Sequence, residues 1–297
     1  MRGLLLRAAL NAADLVARSL PRFAAYALAD LAGRAWYRFA PARRALVTAN
    51  LGRVSAAIGR PAHGPVLRRL ARRAFIAHAR FYLEMLRIPH ESVERIGEMV
   101  SVEGWDDWEG LLRGGAVVAT LHLGNFEPYG SFLAAHGLTA VVPVEEIEPP
   151  ELYQFLVARR NTGRGVEMVP LARARRPMIA ALRRGGIVGL AADRDLAGDG
   201  QPVTLFGHAT TLPSGPASMA LMTGRPLVAA ACWRIGEERF HARGWLVEVE
   251  PSGNRRADAA AMTQAMARRF EEAISATPEQ WFASFQQIWP DLDGSRP

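Results

Sequence analysis

A histidine and a carboxylate stand five positions apart directly after a predicted buried strand. The apolar residues 116–121 lead into the sequence His122-Leu-Gly-Asn-Phe-Glu127. A carboxylate bonded to one imidazole nitrogen fixes the tautomer and raises the basicity of the other nitrogen, which can then take a proton from a hydroxyl. The spacing alone leaves open a catalytic pair or a structural histidine. No metal site is expected, because the helical His-Glu-x-x-His arrangement is absent from the sequence.

The residues after His122 predict the start of a helix. Asn125 is suited to a helix N-cap, and Pro128 is tolerated only in a first helical turn. A helix that begins near residue 125 places Glu127 in its first turn, where the carboxylate can turn back toward His122.

A second group of charges follows another predicted strand, at residues 187–192. Asp193, Arg194 and Asp195 come next. In a parallel sheet this strand end lies at the same edge as His122, the edge where open α/β sheets bind ligands. The two carboxylates flanking Arg194 could therefore orient His122 or hold a phosphate, although a surface turn with an ion pair is the alternative.

Arginine supplies every positive side chain, because the 36 basic residues include no lysine. Schiff-base and P-loop chemistry are thereby excluded. Arg159 and Arg160 are candidates for phosphate contact, or else the solvated end of a helix. Ser214 lacks the Gly-x-Ser-x-Gly elbow of a serine hydrolase, and no dinucleotide-binding glycine motif follows a strand.

Strands that alternate with helices predict an α/β fold, with a central, mostly parallel mixed sheet flanked by helices. Strands are expected at residues 116–121, 138–144, 166–170, 187–192, 203–207, 226–233 and 245–250. Helices are expected at residues 66–87, from 125, and at 151–161, 176–184, 257–276 and 278–288. We expect an amphipathic helical segment at residues 1–45 and one structural unit at 46–297.

The positive charge is concentrated at the start of the chain. The net charge is +7, but the first 100 residues alone hold 17 arginines and six carboxylates. Charges at Arg7, Asp14 and Arg18 interrupt the first apolar stretch before it could span a bilayer. The first helices therefore either pack on the domain or lie on an anionic membrane surface. The single cysteine, Cys232, excludes a disulfide framework.

These motifs together resemble a known family. Residues 122–127 resemble the His-x4-Asp/Glu motif of the lysophospholipid acyltransferase superfamily, and the Gly-Asn-aromatic within them is similar to the lipid A biosynthesis acyltransferase branch. The segments at 192–196, 205–207, 212–216 and 278–287 resemble the phosphatidylinositol mannoside acyltransferases of that branch. Where this chain has Glu127, the superfamily often has Asp.

The resemblance implies a membrane-associated enzyme that moves an acyl chain from a thioester to a hydroxyl of a glycolipid, with a phosphatidylinositol mannoside as the expected acceptor. It makes His122 the general base, Glu127 its orienting acid and Asp193 a further contact of that histidine. The expected substrate-binding residues are Gly124, Asn125, Arg159 and Arg194.

The resemblance further implies no cofactor, with acyl-CoA as co-substrate, and a peripheral location on the cytoplasmic face of the inner or plasma membrane. Three other readings remain open at this stage. The acceptor could be a lipid A precursor, the fold could serve as a non-catalytic membrane-surface protein, or the charge could bind nucleic acid. The last is disfavoured because no nucleic-acid module signature is present.

Overall fold

The computed structural model describes residues 2–160 and 165–292, apart from the side chains of Arg2, Arg159 and Arg160. The helices in this part are α1 (Arg2–Ser19), α2 (Arg22–Phe39), α3 (Pro41–Ala57), α4 (Gly64–Arg87), α5 (Val93–Met99), α6 (Trp105–Arg113), α7 (Glu127–Ala135), α8 (Pro150–Arg160), α9 (Arg175–Arg183), α10 (Gly215–Thr223) and α11 (Arg255–Ala276). The strands are β1 (Val100–Val102), β2 (Val117–Thr120), β3 (Ala140–Val144), β4 (Val166–Pro170), β5 (Ile187–Ala191), β6 (Gln201–Leu205), β7 (His208–Leu212), β8 (Leu227–Gly236) and β9 (Arg239–Val247).

Seven strands form one sheet in the order β1-β9-β8-β2-β5-β3-β4. The five strands from β8 to β4 are mutually parallel, whereas β9 pairs antiparallel with β8 and parallel with β1. The predicted α/β class with a mostly parallel mixed sheet is confirmed. Because β2 lies near the centre of the sheet, both of its faces are covered, which explains its continuous apolar sequence.

The two faces of β2 have different surroundings. Val117 and Ala119 are fully buried in a core that includes residues of α9, α10 and α11. Val118 and Thr120, which point to the opposite face because side chains alternate along a strand, line a cavity under α6, α7 and α8.

The N-terminal helices pack on one another and on the α/β unit. α2 lies close to α4 at Gly33, where a Cβ would come within 2.6 Å of Ile76 Cα, so only glycine permits this approach. The boundary predicted at residue 45 falls inside α3, and the helical N-terminal part continues through α4. Among the residues that the structure describes, no helix is both long and apolar enough to cross a bilayer.

Three predicted elements differ from the structure. The strand predicted at 245–250 is the end of β9, which begins at Arg239 after a tight turn and pairs with β8. The strand predicted at 203–207 is β6, half of a small antiparallel hairpin with β7.

The third difference concerns residues 278–288, predicted as one helix. They form the short 3-10 turns Pro278–Gln280 and Phe282–Phe285. Their backbone bonds go to another part of the chain, since Gln280 O accepts from Gly124 N and Phe282 N donates to His122 O. Peptide groups engaged in this way cannot also complete an α-helix.

Candidate active site

Sheet register places His122 beside Asp193. Thr120 of β2 pairs with Ala191 of the parallel strand β5, and Ala192 N donates to Thr120 O. Two residues beyond Thr120 the chain reaches His122, and two residues beyond Ala191 it reaches Asp193. The carboxyl ends of adjacent parallel strands thus bring the two side chains together, at the edge where the sequence predicted them.

Asp193 holds His122 through two hydrogen bonds. Its Oδ1 lies 2.7 Å from His122 Nδ1, and its Oδ2 accepts from the His122 backbone N–H at 2.9 Å. Trp281 Nε1 donates to Oδ2 as well, at 3.0 Å. Burial would raise the pKa of this carboxyl, but the facing His122 and the donated hydrogen bonds lower the pKa below its usual range. The Asp193 side chain, 3% exposed, is therefore a buried carboxylate.

These contacts determine the histidine tautomer. Because a carboxylate only accepts hydrogen bonds, His122 Nδ1 carries a proton and donates it. Nε2 then has a lone pair, and it faces Arg194, whose Nη2 lies 3.3 Å away. His122 also lines the cavity beside β2, and a quarter of its side chain is exposed. The arrangement can take a proton from a group that enters the cavity.

Glu127 has the predicted position in its helix, whereas the predicted hydrogen bond to His122 Nδ1 comes from another residue. It is the first residue of α7, as expected, and it lines the same cavity as His122. The carboxylate that holds His122 Nδ1 is Asp193, so the orienting contact that we predicted for Glu127 belongs to Asp193. Residue spacing could not separate the two, because both carboxylates follow strands at this edge.

Gly124 and Asn125, which we predicted to bind substrate, form hydrogen bonds within the protein. The Gly124 N–H is bonded to Gln280 O at 2.9 Å. Gly124 has φ +62°, and a Cβ would come within 2.4 Å of Cys232 O, so the loop needs glycine for close packing. Asn125 is fully buried, donates to Glu84 and accepts from Glu127 N. Through these contacts both residues fix the conformation of the loop.

Among the arginines predicted to bind substrate or phosphate, the structure describes the side chain of Arg194. Arg194 lines the cavity, and its Nε is buried without a hydrogen-bond partner among the described residues. Arg159 lies at the end of α8, but its side chain lies outside the described residues, as does that of Arg160.

Trp281 is a site residue that no sequence argument identified. Its indole N–H completes the contacts of Asp193, and its neighbour Phe282 donates to the His122 carbonyl at 2.6 Å. Trp281 and Asp193 are 88 positions apart in the chain, so no local spacing links them. The only signal was that residues 278–287 belong to the segment that carried the family resemblance.

The cavity next to His122 has a volume of about 700 Å³ and a mostly apolar lining. The sheet contributes small side chains at Thr120, Gly189, Ala191 and Ala230, which leave room above the strands. The helices contribute large ones, including Trp108, Leu112, Phe132 and Leu156. An apolar cavity of this size with a few polar groups at one end is typical of a site for a small, mostly apolar ligand.

Comparisons with known proteins identify the family of this chain. Residues 5–289 match the family model of the bacterial lipid A biosynthesis acyltransferases. A phosphatidylinositol mannoside acyltransferase of Mycobacterium tuberculosis H37Rv is 34% identical over 230 residues, covering 74% of this chain and 70% of the relative. One from Mycolicibacterium smegmatis is 34% identical over 254 residues, covering 83% and 80%. The chain therefore belongs to the lipid A biosynthesis acyltransferase family and is an acyltransferase.

Proposed function

We propose that this acyltransferase moves a fatty acyl chain from acyl-CoA to a hydroxyl of a phosphatidylinositol mannoside, with His122 as general base. The observation that carries the proposal is the His122–Asp193 pair at the mouth of a large apolar cavity, with Nε2 directed away from the carboxylate. The names of the relatives support the choice of acceptor.

The chemistry needs no covalent enzyme intermediate. The acceptor hydroxyl gives its proton to His122 Nε2 as its oxygen attacks the thioester carbonyl. The tetrahedral adduct collapses, the carbon–sulfur bond breaks, and the imidazolium returns the proton to the leaving thiolate. Asp193 stabilises the transient positive charge on the ring, as the aspartate does in a Ser-His-Asp triad.

Arg194 is the described group best placed to stabilise the oxyanion. The Gly124 N–H is already bonded within the protein, whereas Arg194 contacts Nε2 and lines the cavity. When the acceptor hydroxyl takes the place of Arg194 at Nε2, the guanidinium remains beside the reacting carbonyl. Donors aimed at developing charge in a site shielded from water commonly provide a large part of catalysis.

The acyl chain occupies the cavity along β2. Val118 and Thr120 line it together with His122, and Val118 lies about 7 Å further from His122 along the strand than Thr120 does, at about 3.3 Å per residue. Gly189 of β5 pairs with Val118 and lines the cavity at the same depth. A side chain at position 189 would therefore narrow the space that the distal part of a long chain needs.

Gly189→Val is expected to shift donor selectivity toward short chains. A Cβ at position 189 already meets Val142 Cγ2 at 3.2 Å, and two further methyl groups project into the cavity. We expect kcat/KM for hexadecanoyl-CoA, relative to octanoyl-CoA, to fall by about tenfold, since blocked burial of a few methylenes, at about 0.8 kcal/mol each, is enough. The measurement is thioester consumption with both donors.

The matched control is Gly236→Val, a strand glycine that does not line the cavity and whose Cβ would have the Arg239 side chain as its nearest neighbour, at 3.6 Å. It should leave the ratio of the two donors unchanged. An unchanged ratio in Gly189→Val as well would show that the chain does not pass this level.

The N-terminal helices supply the membrane contact in this proposal. α1 and α2 expose large apolar side chains, with Leu4, Phe23 and Phe39 each about three-quarters exposed. Arginines lie on the same helices. An exposed apolar surface with interspersed cations is suited to the headgroup region of an anionic bilayer. We assign the enzyme to the cytoplasmic face of the membrane because acyl-CoA is a cytoplasmic metabolite.

The function is tested by mass spectrometry of products formed from acyl-CoA and vesicles that contain one acceptor each. We expect acylated phosphatidylinositol mannoside, formed faster in anionic than in neutral vesicles. If only a lipid A precursor is acylated, the proposed acceptor is wrong. If turnover occurs only with acyl-carrier protein, the proposed donor is wrong. Binding to vesicles without thioester consumption would contradict the catalytic proposal.

A further inference from the structure

A buried ion pair lies beneath the loop that carries His122 and Glu127. Arg234 of β8 binds Glu84 of α4 through two bonds, with Nε at 2.5 Å from Oε1 and Nη2 at 2.6 Å from Oε2. Both side chains are almost completely buried, at 6% and 1% exposure. The proposed mechanism uses neither of them. Burying two charges is costly unless the remaining hydrogen-bonding positions are filled, so their other partners reveal what the pair does.

The pair reaches the catalytic loop at two points. Glu84 Oε2 accepts from Asn125 Nδ2 at 2.9 Å, and Asn125 Oδ1 accepts from Glu127 N at the same distance. The Arg234 backbone holds the Gln280 side chain through bonds of 2.8 and 3.0 Å, and Gln280 O accepts from Gly124 N. The loop is thus fixed at two successive residues between His122 and Glu127.

The Glu84–Arg234 ion pair is also connected to the N-terminal helices by hydrogen bonds. Tyr26 of α2, also buried, donates its hydroxyl to Glu84 Oε1 at 2.7 Å. Burial and the neighbouring Glu84 carboxylate raise the pKa of Tyr26 far above its usual range, so the hydroxyl keeps its proton and remains a donor. Its oxygen accepts from Glu238 N at 3.1 Å, and Arg87 links the Glu238 carboxylate to the carbonyl of Ala17 near the end of α1.

We propose that Glu84 is a positioning residue for catalysis, which holds the loop through Asn125 and is itself held by Tyr26 of α2. This inference rests on the proposed function. It gives the N-terminal helices a second task besides contact with the membrane, because one of them completes the hydrogen bonds that fix the catalytic loop. A displacement of about 1 Å in a catalytic group can lower a rate about a hundredfold, so a positioning contact of this kind can have a large effect on kcat.

The test exchanges the donor and the acceptor of the Glu84–Asn125 bond. Asn125→Asp keeps the shape and the acceptor for Glu127 N, but it sets two carboxylates against each other. We expect kcat to fall by about tenfold to a hundredfold, with KM for acyl-CoA changed by less than about twofold. In the Glu84→Gln/Asn125→Asp double variant an amide donates to the new carboxylate but no longer accepts from Arg234 Nη2, so kcat should rise at least about threefold above that of Asn125→Asp without reaching the wild-type value. Tyr26→Phe should lower kcat in the same way but less, by about threefold to tenfold.

The control is Asn50→Asp, the same substitution at another fully buried asparagine, whose amide donates to Ser284 O and Gln286 O. It should lower the thermal unfolding midpoint but leave kcat per folded molecule unchanged. A second readout needs no acyl donor: the rate at which diethyl pyrocarbonate modifies His122, followed by peptide mass spectrometry. We expect slower modification in Asn125→Asp, because a weaker contact with Asp193 makes Nε2 less basic, and recovery in the double variant.

Two results would overturn the inference. One is an Asn125→Asp variant that behaves like Asn50→Asp, losing stability while keeping the wild-type kcat and His122 reactivity. The other is a double variant as impaired as Asn125→Asp alone. Failure of the proposed function has a different signature, since the wild type would then transfer no acyl group while the modification rates still reported on the loop.

Discussion

His122→Ala is expected to lower acyl transfer by about a thousandfold, a loss within the range expected for removal of a general base. Nε2 is the only ring nitrogen free to accept a proton, because Nδ1 is bonded to Asp193. The variant should still fold, since His122 is partly exposed and its main-chain bonds to Asp193 and Phe282 do not depend on the imidazole. The measurement is kcat with acyl-CoA, together with the unfolding midpoint.

His208→Ala is the control for this loss. His208 is an exposed residue of β7, away from the cavity-lining residues of β2 and β5, and its replacement should keep the wild-type rate. Normal turnover by His122→Ala would exclude the general-base mechanism. A large loss in both variants would point to general sensitivity of the fold.

The proximity of His122 and Asp193 could be predicted from the sequence because both residues follow strand ends. A buried apolar run that ends at residue 121 identifies a central strand, and a second run that ends at residue 192 identifies another. Parallel strands bring their carboxyl ends to one edge, so His122 and Asp193 had to lie on the same side of the sheet. That β5 is the immediate neighbour of β2 was not predictable, since β3 and β4 come between them in the sequence.

The choice between Glu127 and Asp193 lay beyond sequence reasoning for a geometric reason. Both carboxylates stand close enough to His122 in any model of this edge. Which one meets Nδ1 depends on sheet register, and the pairing of Thr120 with Ala191 gives that contact to Asp193.

The contacts of Gly124 and Asn125 within the protein could not be predicted, because their partners are remote in sequence. Glu84 comes 41 positions before Asn125, on a helix whose periodicity shows only that one face is buried. Gln280 lies in a segment that reads as helical yet uses its carbonyl to hold Gly124. Local patterns predict secondary structure, but long-range polar contacts such as these are fixed only by the assembled fold.

The second large effect is expected for Asp193→Asn. Three donors converge on the carboxylate, namely the backbone N–H and Nδ1–H of His122 and the indole N–H of Trp281. An asparagine keeps a single acceptor oxygen, and that oxygen will face the two donors that share Oδ2. The asparagine NH2 group then donates to His122 Nδ1 and favours the tautomer that carries the proton on Nε2. In that tautomer Nε2 cannot accept a proton from the substrate. We expect kcat to fall by about 10³- to 10⁴-fold, as the equivalent change does in a Ser-His-Asp triad.

Asp195→Asn provides the comparison within the same segment. Asp195 accepts from Gly198 N, Gly200 N and the Thr211 hydroxyl, so within the described part of the chain it shapes a turn. Its replacement should cost stability and less than about tenfold in kcat. The low-field proton resonance of His122 Nδ1–H should disappear in Asp193→Asn and persist in Asp195→Asn. Equal losses of kcat in the two variants would contradict the tautomer argument, because of these two aspartates it is Asp193 that is bonded to the imidazole.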